Sequence, residues 1–143
     1  MEAQTIRPLA VCVFLHQDRI LVLEGHDTIK NETFYRPLGG EIEFGEHSAE
    51  ALVREMEEEL GERIHELTFL GCIENIFTYR GEPGHEIVMV YDARFGNPAL
   101  YEAESLTVHD GPSELKVMWT DLDFFKRGEA PLYPEGLLEL LWR

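Results

Sequence analysis

The sequence predicts an α+β sandwich, an α/β layering in which a mixed sheet carries one long helix on one side and a closing helix at the C-terminus. Three observations predict it. The apolar segments are short, most are joined by turns tight enough for hairpins, and a single segment has a clear 3.6-residue period. The 143 residues suffice for one domain, 1–143, with a sizeable core.

Leu9–Leu15 (LAVCVFL) is an almost unbroken apolar run, as expected of a strand buried on both faces. His16-Gln17-Asp18-Arg19 is turn-like, and Ile20–Leu23 (ILVL) is a second strand, predicting a hairpin with the first. Gly25–Glu32 is a polar loop. Thr33–Leu38 (TFYRPL) reads as a short strand in which Pro37 demands an edge or an end.

A helix follows, with Ser48 as N-cap and Gly61 as its stop. Ala49, Leu52, Val53, Met56 and Leu60 form its apolar stripe. Leu67–Tyr79 and His85–Phe95 are two longer strands, joined by the turn Arg80–Gly84. Gly96–Ser113 is a long polar loop, and Leu115–Thr120 the last strand. Asp121–Lys126 starts a short helix, and Pro134–Arg143 (PEGLLELLWR) closes the chain as another. There is no internal repeat and no low-complexity tract.

The net charge of −16 argues against binding DNA, RNA or anionic membranes, yet leaves room for a small polyanion bridged by metal ions. No apolar run approaches a membrane span, and the N-terminus lacks the pattern of a secretory leader. Cys12 and Cys72 lie in apolar runs and read as buried, reduced thiols, which favours a cytoplasmic location.

The charge is not spread evenly. Residues 40–62 hold nine carboxylates and one cation, Arg54, and no Lys occurs between Lys30 and Lys116. At about 100° per residue, Glu55, Glu58, Glu59 and Glu62 share one arc of the helix, with Glu59 nearest the apolar stripe. Like charges at this spacing cost about 0.2–0.5 kcal/mol per pair. Glutamates at a helix C-terminus also oppose the macrodipole. A bound cation would relieve both. Oxygen donors alone suit Mg²⁺, Mn²⁺ or Ca²⁺ rather than Zn²⁺, and no paired histidine spacing is present.

Gly40, then Glu46 after five residues, then Arg54-Glu55-Met56-Glu57-Glu58-Glu59-Leu60-Gly61-Glu62 after seven more, resembles the Nudix box, GX5EX7REUXEEXGU. All of its fixed positions are met; only the last, normally a bulky aliphatic residue, departs, as Glu62. The resemblance to the MutT-like Nudix hydrolases implies hydrolysis of a pyrophosphate bond in a nucleoside diphosphate linked to another group, by attack of a metal-activated water on phosphorus. It implies Mg²⁺, with Mn²⁺ as a substitute, held by Glu55, Glu58, Glu59 and the Gly40 carbonyl. Arg54 would orient a glutamate, and Glu46 would support the ligands. The general base would be Glu55 or an acid ahead of the last strand, with Glu114 first and Glu102 and Glu104 in reserve. A Nudix-like domain that binds nucleotides without turnover is the alternative.

Substrate selection would fall to residues outside the box. Phe34, Tyr35, Phe77, Tyr79 and Tyr101 could supply an aromatic platform. Arg36, Arg80 and Arg94 could meet phosphates. Tyr79 is 17 residues beyond Glu62, similar to the tyrosine of members that cleave dinucleoside polyphosphates, and the proline typical of ADP-ribose-cleaving members is missing there. The expected partner is therefore a small nucleotide or dinucleoside polyphosphate. The Thr78–Tyr91 hairpin offers a surface on which a homodimer could form.

Overall fold

The structure, a computed structural model, describes residues 4–141. Two sheets are present. In the first, β5 (Leu38–Glu41), β1 (Arg7–Val13), β7 (Glu82–Phe95) and β6 (Ile64–Tyr79) lie side by side, with β1 and β7 parallel and the other pairs antiparallel. In the second, β3 (Arg19–Asp27) pairs on one edge with β9 (Ser113–Asp121), which carries β8 (Ser105–Asp110). The other edge of β3 holds β2 (Leu15–His16) and β4 (Glu32–Arg36). Helix α1 (Ser48–Leu60) packs against β1, β5 and β8, while α2 (Leu122–Lys126) and α3 (Leu137–Leu140) are single short turns.

The unbroken apolar runs have a simple cause. Alternate residues of β1 and β3 enter two different cores. Ala10, Cys12, Leu21 and Leu23 pack beneath α1 with Leu38, Leu52, Met56 and Trp119. Val11, Val13, Ile20 and Val22 pack with Val88, Val90, Phe125 and Leu137 on the opposite side.

Several expectations are corrected. The first hairpin is shorter than expected, because β1 leaves for the other sheet at Phe14, whose fully buried ring stacks 3.9 Å from Phe95. Only Leu15–His16 pairs back, across Gln17 and Asp18 in left-handed conformations. Thr33–Leu38 is not one strand: Pro37, which has no N–H to donate, separates β4 from β5, and the two join different sheets. The β6–β7 turn needs only Arg80 and Gly81, both with positive φ as such a turn requires.

The presumed loop 96–113 contains the 3-10 turn Pro98–Tyr101 and strand β8. The Asn97 side chain caps that turn by accepting from the Ala99 N–H at 3.1 Å. Leu100 O accepts from Trp119 Nε1 at 3.1 Å, and the Tyr101 hydroxyl accepts from the Phe95 N–H at 2.9 Å. Cys72 is exposed rather than buried; Cys12 is buried, and both thiols are free. Leu137–Leu140 is the helical part of the expected closing helix, and its last residues, Trp142 and Arg143, lie outside the described residues. Among the described residues no helix is long and apolar enough to cross a membrane.

Candidate active site

Helix α1 begins one residue earlier than expected. His47 is the N-cap, its backbone N–H donating to Glu50 Oε1 at 3.0 Å, while the Ser48 hydroxyl is 2.6 Å from that of Tyr91. Gly61 ends the helix in the left-handed conformation, its N–H bonded to the Glu57 carbonyl at 3.0 Å. The helix is rotated relative to the expected stripe. Ala51, Leu52 and Met56 are buried, whereas Val53 is exposed. The rotation carries part of the acidic arc inward against β5 and β8, so the arc divides: the Glu55 side chain is 14% exposed and that of Glu58 59%.

Arg54 is the internal partner of this acid. Its Nε and Nη2 donate to the two oxygens of Glu46 at 2.8 and 3.1 Å, a two-point grip. Its Nη1 donates to Glu55 Oε1 at 2.9 Å and to Glu58 Oε2 at 3.3 Å. Nη2 also reaches the Glu41 carbonyl at 3.0 Å, tying the helix to the end of β5. The Arg54 guanidinium, and then the Glu43 N–H, hold the Glu46 carboxyl below the usual range. Residues 43–46 thus form a loop held by one arginine.

The two glycines before the loop have separate duties. A Cβ on Gly39 would lie 2.1 Å from the Ala10 carbonyl oxygen, so this glycine lets β5 close on β1. A Cβ on Gly40 would lie 2.3 Å from Glu55 Cδ, so this one makes room for a carboxylate against the backbone. Glu59 completes the group. Burial, followed by a hydrogen bond and charge from Glu55 and the charge of Asp110, pushes its carboxyl up to about 8, against the opposing pull of Arg36. Glu59 is therefore held toward its neutral form beside Glu55, whose own charge is met by Arg54.

A cleft of about 540 Å³ lies beside this group, in the size range of small-molecule sites. Leu9, Val11 and Val88 of the first sheet and Leu23 and Phe34 of the second line it. Arg36 and Pro37 are at its boundary. The Arg36 side chain makes no hydrogen bond or ion pair with another described residue, yet its charge acts on Glu59. It therefore connects the cleft with the glutamates, which do not themselves line it. Tyr79 is also in the wall, edge-on to Phe34 at 5.8 Å between centroids, with the Arg80 guanidinium 5.0 Å from its ring centroid. The outer end is closed by Asp27, 2% exposed, which accepts from the N–H groups of Ile29, Lys30 and Arg80 and so joins two hairpin tips.

Other expected site residues lie elsewhere. Tyr35 is on the opposite face of β4, against Phe124 and Phe125, with its hydroxyl 3.2 Å from Glu24 Oε2. Glu114 is not on a loop but on β9, exposed and 3.8 Å from His109 Nδ1. Glu102 caps the 3-10 turn, and Glu104 is exposed beside it. The acid that the β8–β9 hairpin does bring to Glu59 is Asp110, which sequence reasoning missed because strand β8 was not foreseen.

A sheet sandwich whose Gly-Gly strand feeds an arginine-braced glutamate helix gathers oxygen donors of the kind that suit a hard cation and, through it, a phosphate. The chain belongs to the NUDIX domain family, whose sequence model matches residues 6–137, and it is a Nudix pyrophosphohydrolase. The fold agrees. The solution structure of the E. coli ORF135 protein is 18% identical, with a TM-score of 0.65 over 97% of this chain and 90% of that one. The MutT NUDIX hydrolase from Burkholderia pseudomallei is 22% identical, with a TM-score of 0.61 over 84% and 86%. The structure of a protein named ADP compounds hydrolase is 17% identical, with a TM-score of 0.56 over 87% of this chain and 63% of that one.

Proposed function

We propose that the single domain 1–143 is a metal-dependent hydrolase that cleaves the pyrophosphate bond of a nucleoside diphosphate linked to another group. One observation carries the proposal: Glu55 lies against Gly40 with Glu59 beside it, and Arg36, which lines the neighbouring cleft, acts on Glu59 by its charge. The ADP compounds hydrolase of similar fold supports a nucleotide substrate.

The donor set fits a hard divalent cation such as Mg²⁺ or Mn²⁺. It consists of oxygens, and burial beside Glu55 favours the protonated form of Glu59 where a cation would favour the ionised one. Among the described residues no three acidic, histidine or cysteine side chains already converge as a cage, since Glu58 is drawn to Arg54. The Gly40 carbonyl, Glu55, Glu58 and Glu59 would hold the ion. When bound, it supplies charge neutralisation and a more acidic water. Arg36 would bind a phosphate of the substrate, and Tyr79 would face the group beyond it. Glu55 or Asp110 would take the proton of the attacking water, with Glu114 further out on the same hairpin. A nucleotide or dinucleoside polyphosphate fits best. Two free thiols support a cytoplasmic location, and the β6–β7 hairpin is where a homodimer would form.

The test is turnover of a panel of nucleoside diphosphate derivatives with Mg²⁺ or Mn²⁺, following the released phosphate species. No turnover of any compound would sink the proposal. Glu58→Gln is expected to lower the rate at least ~100-fold, the scale on which partners of a metal site matter.

Proton linkage gives a second expectation. Glu59 titrates near 8 in the folded, metal-free protein and near 4.5 when unfolded, so the native state holds the extra proton between these values. Stability contributed by this group is therefore highest below pH 4.5 and declines as pH rises toward 8. A bound cation favours the ionised form and opposes the decline. Thermal melting should show a larger stabilisation by Mg²⁺ at pH 8 than at pH 5, and Glu59→Gln should lose that difference. An equal Mg²⁺ effect at both pH values in the parent protein would contradict it.

A further inference from the structure

We infer that the cleft reads the base of its nucleotide, and that the base it takes is guanine. This rests on the substrate class proposed above and adds to it the residues that choose among nucleotides.

Three polar side chains form a row across adjacent strands of the first sheet, all lining the cleft. Arg7 of β1 is opposite Glu86 of β7, and Glu86 is opposite Asn75 of β6. The row interrupts an otherwise apolar floor. Val88 precedes it on one side, and on the other Phe77 lays its ring over the bare backbone of Gly84, where a Cβ would be 2.3 Å from Phe77 Cζ. Phe34 lines the cleft from the second sheet. A flat heterocycle can therefore lie against aromatic and aliphatic surface with one edge on the row.

The row has a direction. Asn75 Nδ2 donates to Glu86 Oε1 at 3.3 Å, which turns the Asn75 amide oxygen away as a free acceptor. Glu86, its side chain only 14% exposed, presents the other carboxylate oxygen. Arg7 is 3.6 Å from Glu86 Oε2 and 3.7 Å from Glu41 Oε1, too long for hydrogen bonds, so its N–H groups remain available. From β1 to β6 the order is donor, acceptor, acceptor. The complementary edge is acceptor, donor, donor: O6, N1–H and N2–H₂ of guanine. Cytosine and adenine place an acceptor where Glu86 stands, and a carboxylate repels it. Uracil satisfies Arg7 and Glu86 but has no donor for Asn75. Hypoxanthine is guanine without the 2-amino group and isolates the Asn75 contact.

The experiment compares kcat/KM for the diphosphate derivatives of guanosine, inosine, uridine, adenosine and cytidine, in the parent protein and in Glu86→Gln. Guanosine is expected to exceed inosine by about 10-fold, and adenosine and cytidine by about 100-fold, the discrimination usual for paired hydrogen bonds to a base edge. Glu86→Gln should bring these ratios toward unity. A profile flat within about 3-fold, or one that Glu86→Gln leaves unchanged, would overturn the inference while leaving the hydrolase assignment in place. Calorimetric binding of GDP against IDP and CDP without metal decides the matter even if no compound is turned over. Equal affinities there would refute guanine reading, and tighter GDP binding would uphold it. Arg7→Gln provides a second variant, expected to weaken guanosine and inosine alike, because both carry O6.

Discussion

Arg54→Ala is expected to reduce kcat/KM at least ~100-fold and to lower stability by about 1.5–3 kcal/mol. One guanidinium serves Glu46, Glu55 and Glu58 through four donor contacts and reaches the Glu41 carbonyl with another. Its loss frees the 43–46 loop and leaves Glu55 beside Glu59 with no cation to oppose their repulsion. Arg54→Lys should fall at least ~10-fold short of the parent, because an ammonium cannot grip Glu46 at two points while bonding Glu55. Steady-state kinetics and urea denaturation measure the two effects separately. Full activity in the lysine variant would show that charge alone is needed and that the fork geometry is not.

Gly40→Ala and Gly39→Ala should fail in opposite ways. At Gly40 the new methyl meets the end of a flexible side chain, the Glu55 carboxyl, at 2.3 to 2.6 Å. Glu55 can move aside, so the protein should fold with nearly the parent melting temperature and lose activity about 10–100-fold. At Gly39 the methyl meets the Ala10 carbonyl oxygen at 2.1 Å, and backbone cannot yield without opening the β5–β1 ladder. That variant should lose about 1–3 kcal/mol of stability. An active, Mg²⁺-responsive Gly40→Ala protein would argue against Glu55 as a ligand.

What was legible in the chain was local. The helix announced itself by period, and the box by the spacing of Gly40, Glu46 and Arg54–Glu59. The arginine's reach to Glu46 spans a loop and a helix turn and still lies within that stretch. What was hidden depended on pairing between distant segments. Ser105–Asp110 is polar, with only Val108 buried, and becomes a strand because β9 supplies its ladder. Without that strand Asp110 had no address, and Glu114 stood in for it. Tyr35 failed for a period-two reason: it is one residue from Phe34 and Arg36, and one residue is the opposite face. Val53 was misplaced because the stripe was centred on apolar residues alone, whereas the helix also shelters Glu55.

The break at Pro37 has a metrical consequence. Arg36, one of the cations lining the cleft, and Gly40, which faces Glu55, are separated by a short extended segment that leaves one sheet and enters the other. Four residue steps at about 3.3 Å each span at most roughly 13 Å, and a proline and two sheet ladders keep the segment from lengthening or shortening freely. The segment is a ruler. It bounds the distance between a phosphate held at Arg36 and the glutamates, so under the proposed function the length of the phosphate chain would decide which bond reaches them.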